Sequence, residues 1–122
     1  MSVVNVKVAF IRPKYNDLKE WCANENNLYI GRRGVVFIDG VRYPPQDSDW
    51  ANPFKITSKD DRNKVLIKYR KYILNKLRCN ELDIADIYGK RLGCWCAPEQ
   101  CHGNVLLDIL QYYLENDEYP LI

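Results

Sequence analysis

The sequence predicts a three-layer, Rossmann-like α/β sheet with parallel central strands and a β-hairpin excursion, and three observations carry that expectation. Apolar runs short enough for strands alternate with longer stretches of helical periodicity, the pattern of a sheet covered by helices. An Asp39-Gly40 pair stands between two such runs, the strongest short-range signal for a tight hairpin. Residues 92–103 then pass from a strand-like segment into a helix, and these twelve residues hold three of the five cysteines and the single histidine.

In chain order, residues 4–11 alternate and then become continuously apolar, which predicts a strand that turns buried on both faces, ended by Arg12-Pro13. Asn16 or Asp17 can cap a short helix through Leu18, Trp21 and Cys22, and the asparagine-rich run 24–27 closes it. Leu28-Tyr29-Ile30 reads as a second strand stopped by Gly31. Arg32 and Arg33 follow it, at a position suited to a phosphate or carboxylate. Residues 35–38 and 41–43 form the predicted hairpin, and Pro44-Pro45 breaks it. Trp50-Ala51-Asn52-Pro53-Phe54 is a rigid turn with aromatic anchors, in which the Asn52 amide suits either a ligand or the loop backbone.

Ser58, with Asp61 three residues on, opens the longest helix. Its buried stripe is Val65, Leu66, Tyr69, Tyr72, Ile73 and Leu77, and Lys64, Lys68, Lys71 and Arg78 share the opposite face. Residues 81–88 predict a second short helix ended by Gly89. Residues 92–96 are the central strand, with Cys94 and Cys96 on one face and Trp95 on the other. After Pro98, Val105, Leu106, Ile109, Leu110 and Tyr113 mark one face of the last helix, and residues 117–122 form a tail.

A chain of 122 residues predicts a single domain, residues 1–122. With 18 basic and 16 acidic residues the total charge points to neither nucleic acid nor a membrane surface as partner. No apolar run approaches a membrane span, and the amino terminus lacks the layout of a secretory signal, so a cytoplasmic protein with reduced thiols is expected.

In a parallel sheet ligands sit beyond the carboxyl ends of the strands, against helix amino termini. Four loops are expected to converge there: Arg12-Pro13, Gly31-Arg32, residues 50–54 and residues 98–103. The candidate catalytic residues are Cys101, as a nucleophile, and His102, as a general acid or base. Neighbours in one helical turn point about 100° apart, so a base for Cys101 would come from another loop. The candidate ligand-binding residues are Arg12, Gly31, Arg32, Asn52 and Gly103. Arg32 would neutralise an anion received by the helix terminus, and Gly103 would let it approach the backbone.

These motifs resemble a family of small uncharacterised domains seen in bacteriophages, large DNA viruses and some bacteria. The shared signatures stand here as Ile30-Gly31-Arg32, Trp50-Ala51-Asn52-Pro53-Phe54, the helix with Arg62 and Tyr69, and the block from Leu92 to Gly103. The likeness covers most of residues 29–110 and implies a viral or phage setting, without an activity. The end of the chain is also similar to a second uncharacterised family, in which a strand ending Cys-x-Glu precedes a helix opening Cys-His-Arg. Here Ala97 follows the strand cysteine and Gly103 replaces the arginine, so a basic contact would come from elsewhere, such as Arg32.

The expected function is therefore binding of a small anionic ligand, a nucleotide or phosphorylated metabolite, with a hydrolase or transferase as its catalytic form and no cofactor. Two alternatives stand beside it. One is a non-enzymatic virion component or host-protein adaptor using the basic helix face and tyrosines. The other is a zinc-stabilised module using Cys94, Cys96, Cys101 and His102, four ligands of the right type at a spacing unlike the common Cys-x-x-Cys knuckle. Simple burial of Cys94 and Cys96 as small hydrophobes needs no site at all.

Overall fold

The structure, a computed structural model, describes residues 2–55, 61–95 and 101–121. In order the chain forms β1 (Ser2–Asn5), α1 (Val8–Ile11), α2 (Leu18–Ala23), β2 (Asn27–Tyr29), β3 (Val36–Ile38), β4 (Val41–Tyr43), α3 (Asp61–Arg78), a 3-10 turn (Ile84–Ile87), β5 (Arg91–Cys94) and α4 (His102–Asn116). It is a mixed α/β fold. Three parallel strands run in the order β1-β5-β2, and β3-β4 form a separate antiparallel pair.

The last strand to be synthesised is the central one. Leu92 stands between Val3 and Leu28, and Gly93 between Val4 and Tyr29. Alternation along β5 feeds two apolar clusters. Leu92 and Cys94 enter the larger one, with Ile30 just after β2, Tyr69 and Ile73 of α3, and Leu106, Ile109 and Leu110 of α4. Val6, Ile11, Leu18, Trp21 and Tyr29 form the other, and Trp95 packs against it.

The hairpin follows its turn chemistry. Asp39 and Gly40 both have positive φ, +52° and +78°, as the favoured two-residue turn requires, and Val36 pairs with Tyr43. Asp17 caps α2 through its side chain, which accepts from the Glu20 N–H at 2.9 Å. The buried stripe of α3 includes Leu74 along with the expected positions, whereas Tyr72 is only partly buried. The expected Ser58 start of that helix lies outside the described residues.

The central strand ends at Cys94 and does not continue through Trp95 as expected, and two further expectations are corrected. The first strand stops at Asn5, not Ile11, because the Asn5 side chain accepts from the Lys7 N–H at 2.9 Å. That local turn diverts the backbone from the ladder. Residues Val8–Ile11 then make one helical turn, which buries Ile11 and leaves Phe10 65% exposed. The predicted helix over residues 81–88 is only the 3-10 turn, capped by Asp83. The carboxyl tail packs: Tyr119 stacks on Tyr113 at 4.8 Å between ring centroids, and Arg78 donates to the Pro120 carbonyl.

Candidate functional site

The carboxyl ends of β2 and β5 meet the amino end of α4 at a cleft of about 520 Å³, within the range of small-molecule sites. Gly31, Arg32, Val35, Asn52, Phe54, Lys55, Cys94, Trp95 and His102 line it. Three of the expected loops therefore contribute: the step after β2, the 50–54 turn, and the junction between β5 and α4.

His102 is the first residue of α4, and its ring crosses back to the sheet. Nε2 lies 2.6 Å from the Ile30 carbonyl oxygen, an acceptor only, so Nε2 carries the proton. In the neutral ring Nδ1 is left as a proton acceptor. The ring edge also meets Tyr69, with centroids 5.1 Å apart. Burial lowers the imidazole below its ordinary value and the Arg32 guanidinium adds to this, while the Ile30 carbonyl works in the opposite direction. The arrangement favours a neutral imidazole that accepts a proton.

Cys101 is the N-cap of α4. Its sulfur accepts from the Gly103 N–H at 3.3 Å, and the Asn104 side chain returns a bond to the Cys101 N–H at 2.9 Å, completing a capping box. The helix terminus expected to receive an anion is thus capped by the chain itself. Cys101 is 2% exposed, and its sulfur lies 3.1 Å from that of Cys94. It is placed to stabilise the helix start, and His102 is turned towards Ile30.

Arg32 reaches the 50–54 turn. Its Nε and Nη2 donate to the Asn52 carbonyl at 3.1 and 2.9 Å, and Nη2 also reaches the Phe54 carbonyl at 3.2 Å. This guanidinium clamps the loop as well as lining the cleft. The Asn52 side chain accepts from the Phe54 N–H at 2.9 Å, so of the two roles open to it the loop backbone takes the oxygen. Trp50 anchors the same turn at 4% exposure, and its carbonyl accepts from the buried Tyr69 hydroxyl at 2.7 Å.

Two expected ligand residues are placed otherwise. Arg12 lines a separate hollow beside Val4, Trp21 and Arg91, where its Nε donates to the Asn16 carbonyl. The helical turn of α1 carries it there. Gly103 is buried under the sheet edge, and a Cβ on it would meet Val3 Cγ2 at 2.8 Å and Ile30 Cδ1 at 3.0 Å. Its small size serves the packing of α4 on β1. Gly31 does line the cleft, yet a Cβ there would lie 2.3 Å from the Tyr29 hydroxyl oxygen, so it too makes room for a protein group.

That hydroxyl joins the two sides of the site. Tyr29 donates to the Arg32 carbonyl at 2.8 Å and accepts from the Trp95 indole N–H at 2.9 Å. Burial pushes its phenol up to about 12, so it stays protonated and able to do both. The sequence reading missed Tyr29, Phe54, Lys55 and Trp95 as site residues. The available signal was position, since Trp95 directly follows a central parallel strand, Phe54 ends the rigid turn and Lys55 follows it.

Of the four expected zinc ligands, Cys94 and Cys101 meet, the Nε2 of His102 is engaged by Ile30, and Cys96 lies outside the described residues. Among the described residues no group of three or more histidine, cysteine and carboxylate side chains is arranged to hold a metal ion. Also among them, no helix is long and apolar enough to cross a membrane.

No curated protein and no solved structure matches this chain significantly. The family comparison does match, over residues 14–112, which include the cleft from Gly31 to His102 together with α3 and most of α4. The chain accordingly belongs to the family described as a domain of unknown function, DUF4326.

Proposed function

We propose that the cleft binds a small anionic ligand, a nucleotide or a phosphorylated metabolite. The observation that carries this reading is the composition of its wall. Arg32 and Lys55 supply cations, Trp95 and Phe54 supply aromatic surfaces, His102 supplies a ring, and no carboxylate is present among the described lining residues. A planar ring would stack on the aromatics, with its phosphate directed to Lys55 and the guanidinium. The Asn52 NH2 group and His102 Nδ1 would orient the rest. In the catalytic form, a hydrolase or transferase, His102 acts as proton acceptor, in keeping with its bond to Ile30. A binding place outside the carboxyl ends of parallel strands also favours reading the fold as Rossmann-like. The motif resemblance supports a phage or viral setting, with the host cytoplasm as the place of action.

Fluorescence titration tests the reading directly. Trp21 and Trp50 are 3% and 4% exposed, whereas Trp95 is partly exposed in the cleft, so quenching by a bound ring reports mainly on Trp95. Nucleoside mono-, di- and triphosphates and sugar phosphates are titrated into the full chain. A saturable quench is expected, with Lys55→Ala weakening binding about tenfold or more, the size of one charge-assisted hydrogen bond. A ligand at about 100 times its Kd should also raise unfolding stability by about 2.7 kcal/mol. Absence of both effects across the panel at millimolar concentration would remove the proposal.

One observation favours a second reading, an adaptor. On α3, Ile67 is 57% exposed within the row Lys64, Lys68 and Lys71, which puts an apolar contact inside a basic face. An acidic viral or host protein fits that surface. Reversing the charge of the three lysines should then abolish the partner interaction and leave ligand binding in the cleft unchanged.

A further inference from the structure

We propose that Cys94 and Cys101 form a peroxide-reactive dithiol that closes reversibly to a disulfide, a modification site that does not depend on any ligand in the cleft. Cys94 ends β5 and Cys101 caps α4, so the sheet and the helix bring together two sulfurs seven residues apart. They stand 3.1 Å from each other, about 1 Å more than a covalent S–S bond of about 2.05 Å. Each belongs to a different element, and little rearrangement separates contact from bond.

Two further features make the pair reactive as well as close. The Cys101 sulfur accepts the Gly103 N–H at the amino end of a fifteen-residue helix, where amide donors and the helix dipole stabilise a thiolate. Cys94 forms part of the cleft wall, which gives a small oxidant a path to sulfurs that are otherwise only 1% and 2% exposed.

The chemistry balances with hydrogen peroxide as oxidant. The Cys94 sulfur attacks one peroxide oxygen, an S–O bond forms, the O–O bond breaks, and the first water leaves with the thiol proton. The Cys101 sulfur then attacks the Cys94 sulfenic sulfur, the S–O bond breaks, and a second water leaves with the Cys101 proton. Two thiols are oxidised and one peroxide is reduced.

The test uses the full chain, fully reduced, treated with one equivalent of hydrogen peroxide and then alkylated. Cys79 is exposed and serves as an internal reference for ordinary thiol reactivity. The expected result is a loss of about 2 Da before alkylation, and alkylation should show the Cys94 and Cys101 thiols consumed at least tenfold faster than Cys79. Cleavage after Glu99 separates the two cysteines. Non-reducing peptide mapping should then show the fragments linked, and dithiothreitol should restore both thiols. Cys96→Ser should keep the link and Cys94→Ser should abolish it. A link through Cys22, Cys79 or Cys96, over-oxidation at either sulfur without a link, or Cys79 reacting first would each overturn the proposal.

Discussion

Gly103 gives the sharpest test of how the site is built, because the structure assigns it to packing and its sequence position suggested a ligand contact. Consider Gly103→Ala. Alanine is the better helix former by at most about 1 kcal/mol, and less in a first turn where the amides are capped from outside. Against this, the new Cβ would fall 2.8 Å from Val3 Cγ2 and 3.0 Å from both Val3 Cγ1 and Ile30 Cδ1. Ile30 can withdraw its terminal methyl by a rotamer change. Val3 cannot easily do so, since its side chain is stiff at χ1 and its strand is pinned along β5 from Ser2 to Asn5. Overpacking of this kind costs about 1–3 kcal/mol, which exceeds the propensity gain. We expect a net loss of about 1–2 kcal/mol, or a Tm lowered by roughly 3–10 °C in a domain of this size. Urea unfolding followed by tryptophan fluorescence measures it. Val3→Ala should relieve the clash, so the double variant should recover much of the loss in a double-mutant cycle. Stability of Gly103→Ala equal to or above that of the parent, with binding weakened, would refute the packing argument and restore the ligand role.

The remaining predictions concern groups that hold the cleft in shape. Tyr69→Phe leaves the Trp50 carbonyl without its buried donor and should cost about 1–3 kcal/mol in chemical denaturation. Gly31→Ala places a methyl against the Tyr29 hydroxyl and should break the bond from the Trp95 indole, seen as a shift of Trp95 emission before unfolding. For His102, whose folded-state value lies below the ordinary 6.5, the ring is neutral in both states well above that pH and adds no pH dependence. As pH falls below 6.5 the unfolded chain takes up the proton first, so stability drops until the folded value is reached. The stability difference between the parent and His102→Gln should therefore shrink from about pH 7.5 to about pH 5.5, and a constant difference would contradict the burial of this ring.

Much of the fold was legible because it is coded over a few residues. The apolar spacing of α3 and α4, the Asp17 cap and the Asp39-Gly40 turn all act within one or two turns of chain. The end of β1 was misread for a reason of the same range. Periodicity favoured extension to Ile11, and one asparagine side chain bonding the Lys7 amide won over it. The candidate site was legible in its location and less so in its roles. Cys101 was expected as a nucleophile and His102 as a general acid or base at a helix start, and the structure adds a capping role for the first and turns the ring of the second towards a strand. Arg32 was expected as an anion contact, and it also holds the Asn52 and Phe54 carbonyls of the turn twenty residues on.

The amino-acid sequence alone determined most of the elements and their order, the hairpin turn, and the concentration of thiols and imidazole at the last strand-to-helix step. Those features depend on side-chain period, capping and turn chemistry, which a chain carries locally. The tertiary structure decided that β5 inserts between β1 and β2, and from that register follow the approach of Val3 to Gly103 and the bond from His102 to Ile30 across 72 residues. Such contacts exist only once strands distant in sequence are paired and packed, because no periodicity within one segment specifies the partner its side chains will meet.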